Sequence, residues 1–135
     1  MKYLVDTSAL TRLIRKQVDA SWEDLVNRGL VAVCEPAVAE TLKIADAKGY
    51  DETEDLIRER CLTFTVPDGV WSIVAEIRRE LAASGAHGGP SVADLVIAAT
   101  AIRLRLIVLH EDGDFETMGR FVPELRQQRV SARPN

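Results

Sequence analysis

Cysteine is scarce in this chain, with only Cys34 and Cys61 in 135 residues. They lack C-x-x-C spacing and have no histidine nearby, which argues against zinc-ligand and thioredoxin-type chemistry. Both read as small core residues. No stretch reaches the ~18 uninterrupted apolar residues that a membrane span needs. The opening Met1-Lys2-Tyr3-Leu4-Val5-Asp6 does not read as a signal peptide, because its apolar run is short and an acid interrupts it. A cytoplasmic protein without membrane association is expected. Positive charge is not in excess either: 17 Lys and Arg stand against 21 Asp and Glu, a net charge of −4. That balance argues against a broad basic nucleic-acid surface. Walker loops, G-x-G-x-x-G and a Ser-His-Asp order are absent, and Gly88-Gly89-Pro90 lacks the strand-turn-helix setting of a phosphate loop. There is no internal repeat, low-complexity tract or linker.

What remains is ordinary globular material, 47% hydrophobic and 28% charged, expected to form a single domain over 1–135. Short apolar runs at 2–6, 30–34, 62–66 and 106–109 read as strands, and 128–131 as a last edge strand. Between them lie helical patterns. Thr7-Ser8 offers a cap to the first and Ser21 to the second. Pro36 opens a third that runs to Lys48 and is closed by Gly49. Charged residues 51–60 form a fourth, and Val70, Ile73, Val74, Ile77 and Leu81 mark a fifth. Ser91 caps a nearly all-apolar helix to Arg105, with Asp94 in the capping-box position. A short helix follows from Phe115. This alternation predicts an α/β fold: a mostly parallel central sheet of four to five strands with helices on both faces.

In such a sheet the functional crevice lies outside the carboxyl ends of the strands. Asp6 ends the first strand, Glu40 lies one turn into the helix after the second, Asp94 opens the apolar helix, and Asp112 and Asp114 follow the fourth strand. Taken singly, each acid has an ordinary role as turn residue, helix-dipole partner or solvated side chain. Topology, however, brings them to one end of the sheet. Carboxylates that close repel one another unless a cation sits between them, and hard oxygen donors select Mg²⁺ or Mn²⁺. Setting aside Asp6, Glu40, Asp94 and Asp112 leaves 17 charges of each sign. Arg12, Arg15, Lys16, Lys43, Arg103 and Arg105 are then candidates for phosphate contacts. Residues 117–135 form a locally basic tail with Arg120, Arg126, Arg129 and Arg133. His110 is a lone candidate general base, more commonly structural at a strand end.

At these residues the sequence resembles the PIN-domain ribonucleases, and among them the VapC-type toxins of toxin–antitoxin modules. The matching pieces are LVDTSAL at 4–10, VAETL at 38–42, SVADLVIAATA at 91–101 and HEDGDFETM at 110–118. The resemblance implies a PIN-like fold and a metal-dependent endoribonuclease that inhibits translation and growth. Asp6, Glu40, Asp94 and Asp112 then correspond to the catalytic, metal-binding acids. Asp114 corresponds to an additional acid, and Asp112 is favoured over it as the direct ligand. Gly113 stands where an Arg is often found. The resemblance also implies Mg²⁺ or Mn²⁺ as cofactor, an RNA substrate, a homodimer, and a VapB-type antitoxin whose C-terminal segment lies across the active-site groove.

Two rival classes remain. An acidic α/β phosphohydrolase would carry an acidic pair or D-x-D after the first strand, whereas Asp6-Thr7-Ser8 supplies one acid. A catalytically silent PIN-like module acting through its antitoxin would bind metal without cutting RNA.

Overall fold

The computed structural model describes residues 2–134; Met1 and Asn135, the ends of the expected domain, lie outside the described residues. The chain runs β1 (Tyr3–Val5), α1 (Thr7–Ile14), α2 (Ala20–Asn27), β2 (Val31–Cys34), α3 (Glu35–Lys43) and α4 (Tyr50–Arg60). It continues through β3 (Leu62–Phe64), α5 (Val70–Ala83), α6 (Val92–Leu104), β4 (Ile107–His110), α7 (Gly113–Phe121) and β5 (Gln127–Arg129). The five strands form one sheet in the order β3-β2-β1-β4-β5, with every pairing parallel. All residues of β1 and β2 are buried. Successive strand residues point to opposite faces, so helices cover both sides of the sheet.

The order of the strands positions the site. From β1 the chain builds outward to β2 and β3 on one side, then returns to add β4 and β5 on the other. The switch point therefore lies between β1 and β4, and the crevice opens where those two strands end. Tyr3↔Ile107, Leu4↔Val108 and Val5↔Leu109 set the register, bringing Asp6 level with the turn after β4.

Several boundaries differ from expectation. The cap of α1 is Asp6, not Thr7 or Ser8: its backbone is still extended and its carboxylate accepts the Ala9 N–H. The cap of α2 is Asp19 rather than Ser21, for the same reason. Helix α3 stops at Lys43, short of Lys48. The Asp46 side chain accepts the Gly49 N–H at 2.6 Å, and such local bonding competes with helix continuation. The last strand is Gln127–Arg129, shifted from the expected 128–131. Ser91 caps α6 in the expected reciprocal box with Asp94.

Trp22 on α2 is fully buried, edge-on to Tyr3 with ring centroids 5.1 Å apart. Its indole N–H donates to the Ala132 carbonyl at 2.7 Å. That bond helps to tie the carboxyl-terminal segment to the core. Trp22→Phe is expected to cost about 1–2 kcal/mol through the lost bond and the reduced packing, read as a lower midpoint in urea unfolding. Both cysteines are buried and unpaired. Burial pushes the Cys34 thiol up to about 12 and the Cys61 thiol to about 11, so neither forms a thiolate at neutral pH. Among the described residues, no helix is long and apolar enough to cross a membrane.

Candidate metal-binding active site

Three carboxylates meet where β1 and β4 end. Asp6, Asp94 and Asp112 each bring an oxygen to within 4.8 Å of the others. Each is held at the start of a helix, Asp6 and Asp112 as caps and Asp94 in the first turn. Asp6, only 2% exposed, accepts the Ala9 N–H at 2.9 Å as the cap of α1. Asp94 accepts the Ser91 N–H at 3.0 Å through Oδ2, while the Ser91 hydroxyl accepts the Asp94 N–H at 3.1 Å. Asp112 caps α7, its Oδ1 accepting the Asp114 N–H at 2.9 Å. Helix starts draw acids because their free N–H groups need acceptors and their dipoles favour negative charge. The same three side chains thus bond a helix start and converge on one crevice. Asp94 Oδ1 and Asp112 Oδ2 stay outside these bonds.

Ser8 is where sequence reasoning missed the mechanism. Its hydroxyl lies 2.8 Å from both Asp6 oxygens, to which it donates, and accepts the Glu111 N–H at 2.8 Å. One side chain thereby joins the ends of β1 and β4. Nothing local signals this, since Glu111 is 103 residues away. Ser8→Ala is expected to lower stability by about 1–2 kcal/mol, because the Glu111 N–H loses its acceptor. Chemical denaturation would measure it.

The three carboxylates line an open cleft of about 540 Å³ together with Ser8, Glu40, Arg12 and Arg15. Burial, foremost, raises the Asp6 carboxyl above its usual range, against the hydrogen bonds from Ala9 and Ser8. Burial likewise raises Asp94, and the nearby charges of Asp112 and Glu40 raise it further. Among the described residues, no Lys or Arg forms an ion pair with any of the three. A cluster of oxygen donors, half-buried, mutually repelling and without a protein cation, fits a hard divalent ion.

The other expected residues are distributed differently. Asp114 lies outside the three-carboxylate cluster, against Gly89: a Cβ added there would stand 3.0 Å from its Oδ1. Its carboxyl is raised by burial and by Asp112 and Asp94. Lys16 and Lys43 do not line the cleft, whereas Arg12 and Arg15 do. His110 is fully buried and stacked on Phe115, with Nδ1 accepting the Asp112 N–H and Nε2 facing Gln127 Oε1 at 2.6 Å. Both ring nitrogens are engaged, which leaves no free base. The basic tail is largely used internally: Arg129 pairs with Glu111 and Glu116, Arg133 with Asp19, and Arg126 donates to the Arg105 carbonyl.

Comparison with known proteins places this geometry in context. A PIN domain family model matches residues 3–120. Ribonuclease VapC6 of Mycobacterium tuberculosis is 37% identical over 101 residues, covering 74% of this chain and 80% of that protein. Ribonuclease VapC2 of the same species is 32% identical over 139 aligned residues, covering 98% and 95%. Among solved structures, VapBC2 from Rickettsia felis, bound to a DNA fragment from its promoter, superposes with a TM-score of 0.77. That match is 20% identical and covers 96% of this chain and 98% of the other. VapBC-5 from M. tuberculosis gives 0.65 at 22% identity, covering 97% and 98%.

Proposed function

The chain belongs to the PIN-domain family, and on that premise we propose that it is an endoribonuclease, the toxin of a toxin–antitoxin pair, acting as one domain over 1–135. The observation that carries the reading is the convergence of Asp6, Asp94 and Asp112 on the switch-point crevice. It is supported by the ribonuclease relatives VapC6 and VapC2. Asp6, Asp94 and Asp112 would hold Mg²⁺ or Mn²⁺, with Asp114 as an outer contributor. When bound, such an ion supplies positive charge that activates water and stabilises the negative charge gathering on the phosphoryl oxygens.

The remaining work falls to the chain's own groups. Glu40 lines the same cleft and orients the attacking water, whose oxygen adds to phosphorus as the bond to the leaving sugar oxygen breaks. Ser8 fixes the Asp6 carboxylate. Arg12 and Arg15 take flanking phosphates as fork-shaped donors. No side-chain nucleophile is needed. The open cleft suits a single strand or loop, whose unstacked nucleotides can splay into it as those of a paired A-form duplex cannot.

Beside the cleft, and sharing Thr11 and Arg15 with it, runs a groove lined by Ile14, Ile44 and Leu56. Ile44 is 67% exposed, an unusual position for so apolar a side chain. This groove supports an antitoxin segment that continues from the cleft on apolar side chains, with an inserted Arg beside the acids. The homodimer that the resemblance implies is tested by light scattering of the purified toxin.

The test is incubation of the antitoxin-free protein with total cellular RNA, with and without Mn²⁺ or Mg²⁺, followed by mapping of new RNA ends. Discrete metal-dependent cuts absent from Asp94→Asn are expected. Metal binding without cuts would favour a silent binding module, and cuts that persist in the variant would refute the site.

A further inference from the structure

The family match ends at residue 120, so β5 lies outside it. Yet Gln127 and Arg129 of that strand, and Ser131 in the turn after it, all bond residues close to Asp112. Gln127 meets His110 Nε2, and the opposite ring nitrogen accepts the Asp112 N–H at 3.0 Å. Because Nδ1 accepts, the ring proton sits on Nε2 and is donated to Gln127 Oε1. The Gln127 amide therefore selects the tautomer that grips the Asp112 backbone. Arg129, two residues on, donates to Glu111 at 3.0 Å and to Glu116 at 2.6 Å, holding the residues on either side of Asp112. Ser131 adds its N–H and hydroxyl to Glu111, each at 3.0 Å. Gln127 and Arg129, two residues apart on β5, share one face of the strand, and Ser131 follows in the turn after it. The Arg129 guanidinium lies over Gly113 at ordinary contact range, 3.9 Å from where a Cβ would stand.

We propose that β5 is a clamp on the metal-site turn, with Gln127 and Arg129 as positioning residues for Asp112, acting through His110 and through Glu111 and Glu116. The proposal rests on the reading of the three carboxylates as a metal site. Groups that orient a ligand carry much of a site's affinity, and their loss typically weakens metal binding about 10–100-fold. Arg129 is thereby a structural cation rather than a contact for RNA phosphates.

The test uses the full chain and Mn²⁺ alone, read by calorimetry, with amide hydrogen exchange followed residue by residue. Gln127→Leu and Arg129→Met are each expected to weaken Mn²⁺ binding about ten-fold, and Arg129→Lys to recover part of it. The Asp112 and Asp114 amides exchange faster in the variants, while those of β1 and β2 keep their protection. Unchanged Mn²⁺ affinity overturns the clamp. So does a loss of affinity matched by equal loss of protection across β1 and β2, which marks general destabilisation. If the unsubstituted protein takes up no Mn²⁺, the metal-site reading fails. Exchange at Asp112 then decides the clamp separately, with acceleration supporting it and no change overturning it.

Discussion

Asp94→Asn is expected to lower RNA cleavage by about three orders of magnitude while making the metal-free protein slightly more stable. The first effect follows from removing one of three negative donors whose oxygens lie within 4.8 Å. An amide oxygen can still accept the Ser91 N–H and complete the capping box, so the backbone is kept, but the charge that binds the ion is gone. A divalent ion contributes several kcal/mol to stabilising a phosphoryl transition state, which corresponds to roughly 10²–10⁴ in rate. The second effect has the opposite sign because burial and the charges of Asp112 and Glu40 already disfavour an ionised Asp94. A neutral side chain removes that repulsion. Single-turnover cleavage and thermal melting of the same sample test both halves. An active variant would refute the metal assignment, and a folded but less stable one would refute the electrostatic argument. Asp114→Asn is expected to cost only about ten-fold in cleavage, as for an outer group, because Asp114 stands outside the cluster.

Chelation should abolish cleavage and Mn²⁺ or Mg²⁺ should restore it, with a stabilisation that grows as pH rises. Asp6, Asp94 and Asp114 hold their protons more tightly in the folded chain than their ordinary value of 3.8 implies. The metal-free fold therefore gains stability as pH falls through those raised values, and loses it again as pH rises above them. Glu111 and Glu116, paired with Arg129, are shifted the other way from 4.5. Their contribution is present above 4.5 and is lost as pH falls through their lowered values, so the two effects occupy different windows. A bound cation relieves the repulsion, but protons compete for the same oxygens. At a concentration of about a hundred times Kd, Mn²⁺ should add about 2.7 kcal/mol, on the order of 10 °C in Tm for a chain of this size. The increment should shrink as pH is lowered toward 4. Calcium, with looser geometry, is expected to raise Tm without supporting cleavage. A Tm indifferent to all three ions would remove the basis for the site.

Much of this was legible before folding. The apolar runs led correctly to an α/β fold because a strand covered on both faces must be apolar throughout, as β1 and β2 are. The strongest local signal, Ser91 with Asp94, was read correctly because a capping box is completed within four residues. The same reasoning misjudged α1 and α2, where the acid just before the serine takes the cap. It also ran α3 past Lys43, where Asp46 forms a local turn instead.

The site divides along the same line. The residue types, their order and their placement at strand ends are properties of the sequence, and they singled out Asp6, Glu40, Asp94, Asp112 and Asp114 as candidates, of which Asp6, Asp94 and Asp112 come together. Which acids actually meet is not such a property. Asp112 and Asp114 are two residues apart and chemically alike, but one caps α7 into the cleft while the other lies against Gly89. Ser8 meeting Glu111, and Gln127 and Arg129 reaching the turn after β4, depend on the registers of β1 and β5 against β4. Those registers are set by the packing of the whole sheet. Sequence alone determined the chemistry available at the crevice, because side-chain type and local capping are short-range. Tertiary structure alone decided which groups converge and what holds them there, because those contacts link residues as far as 103 positions apart.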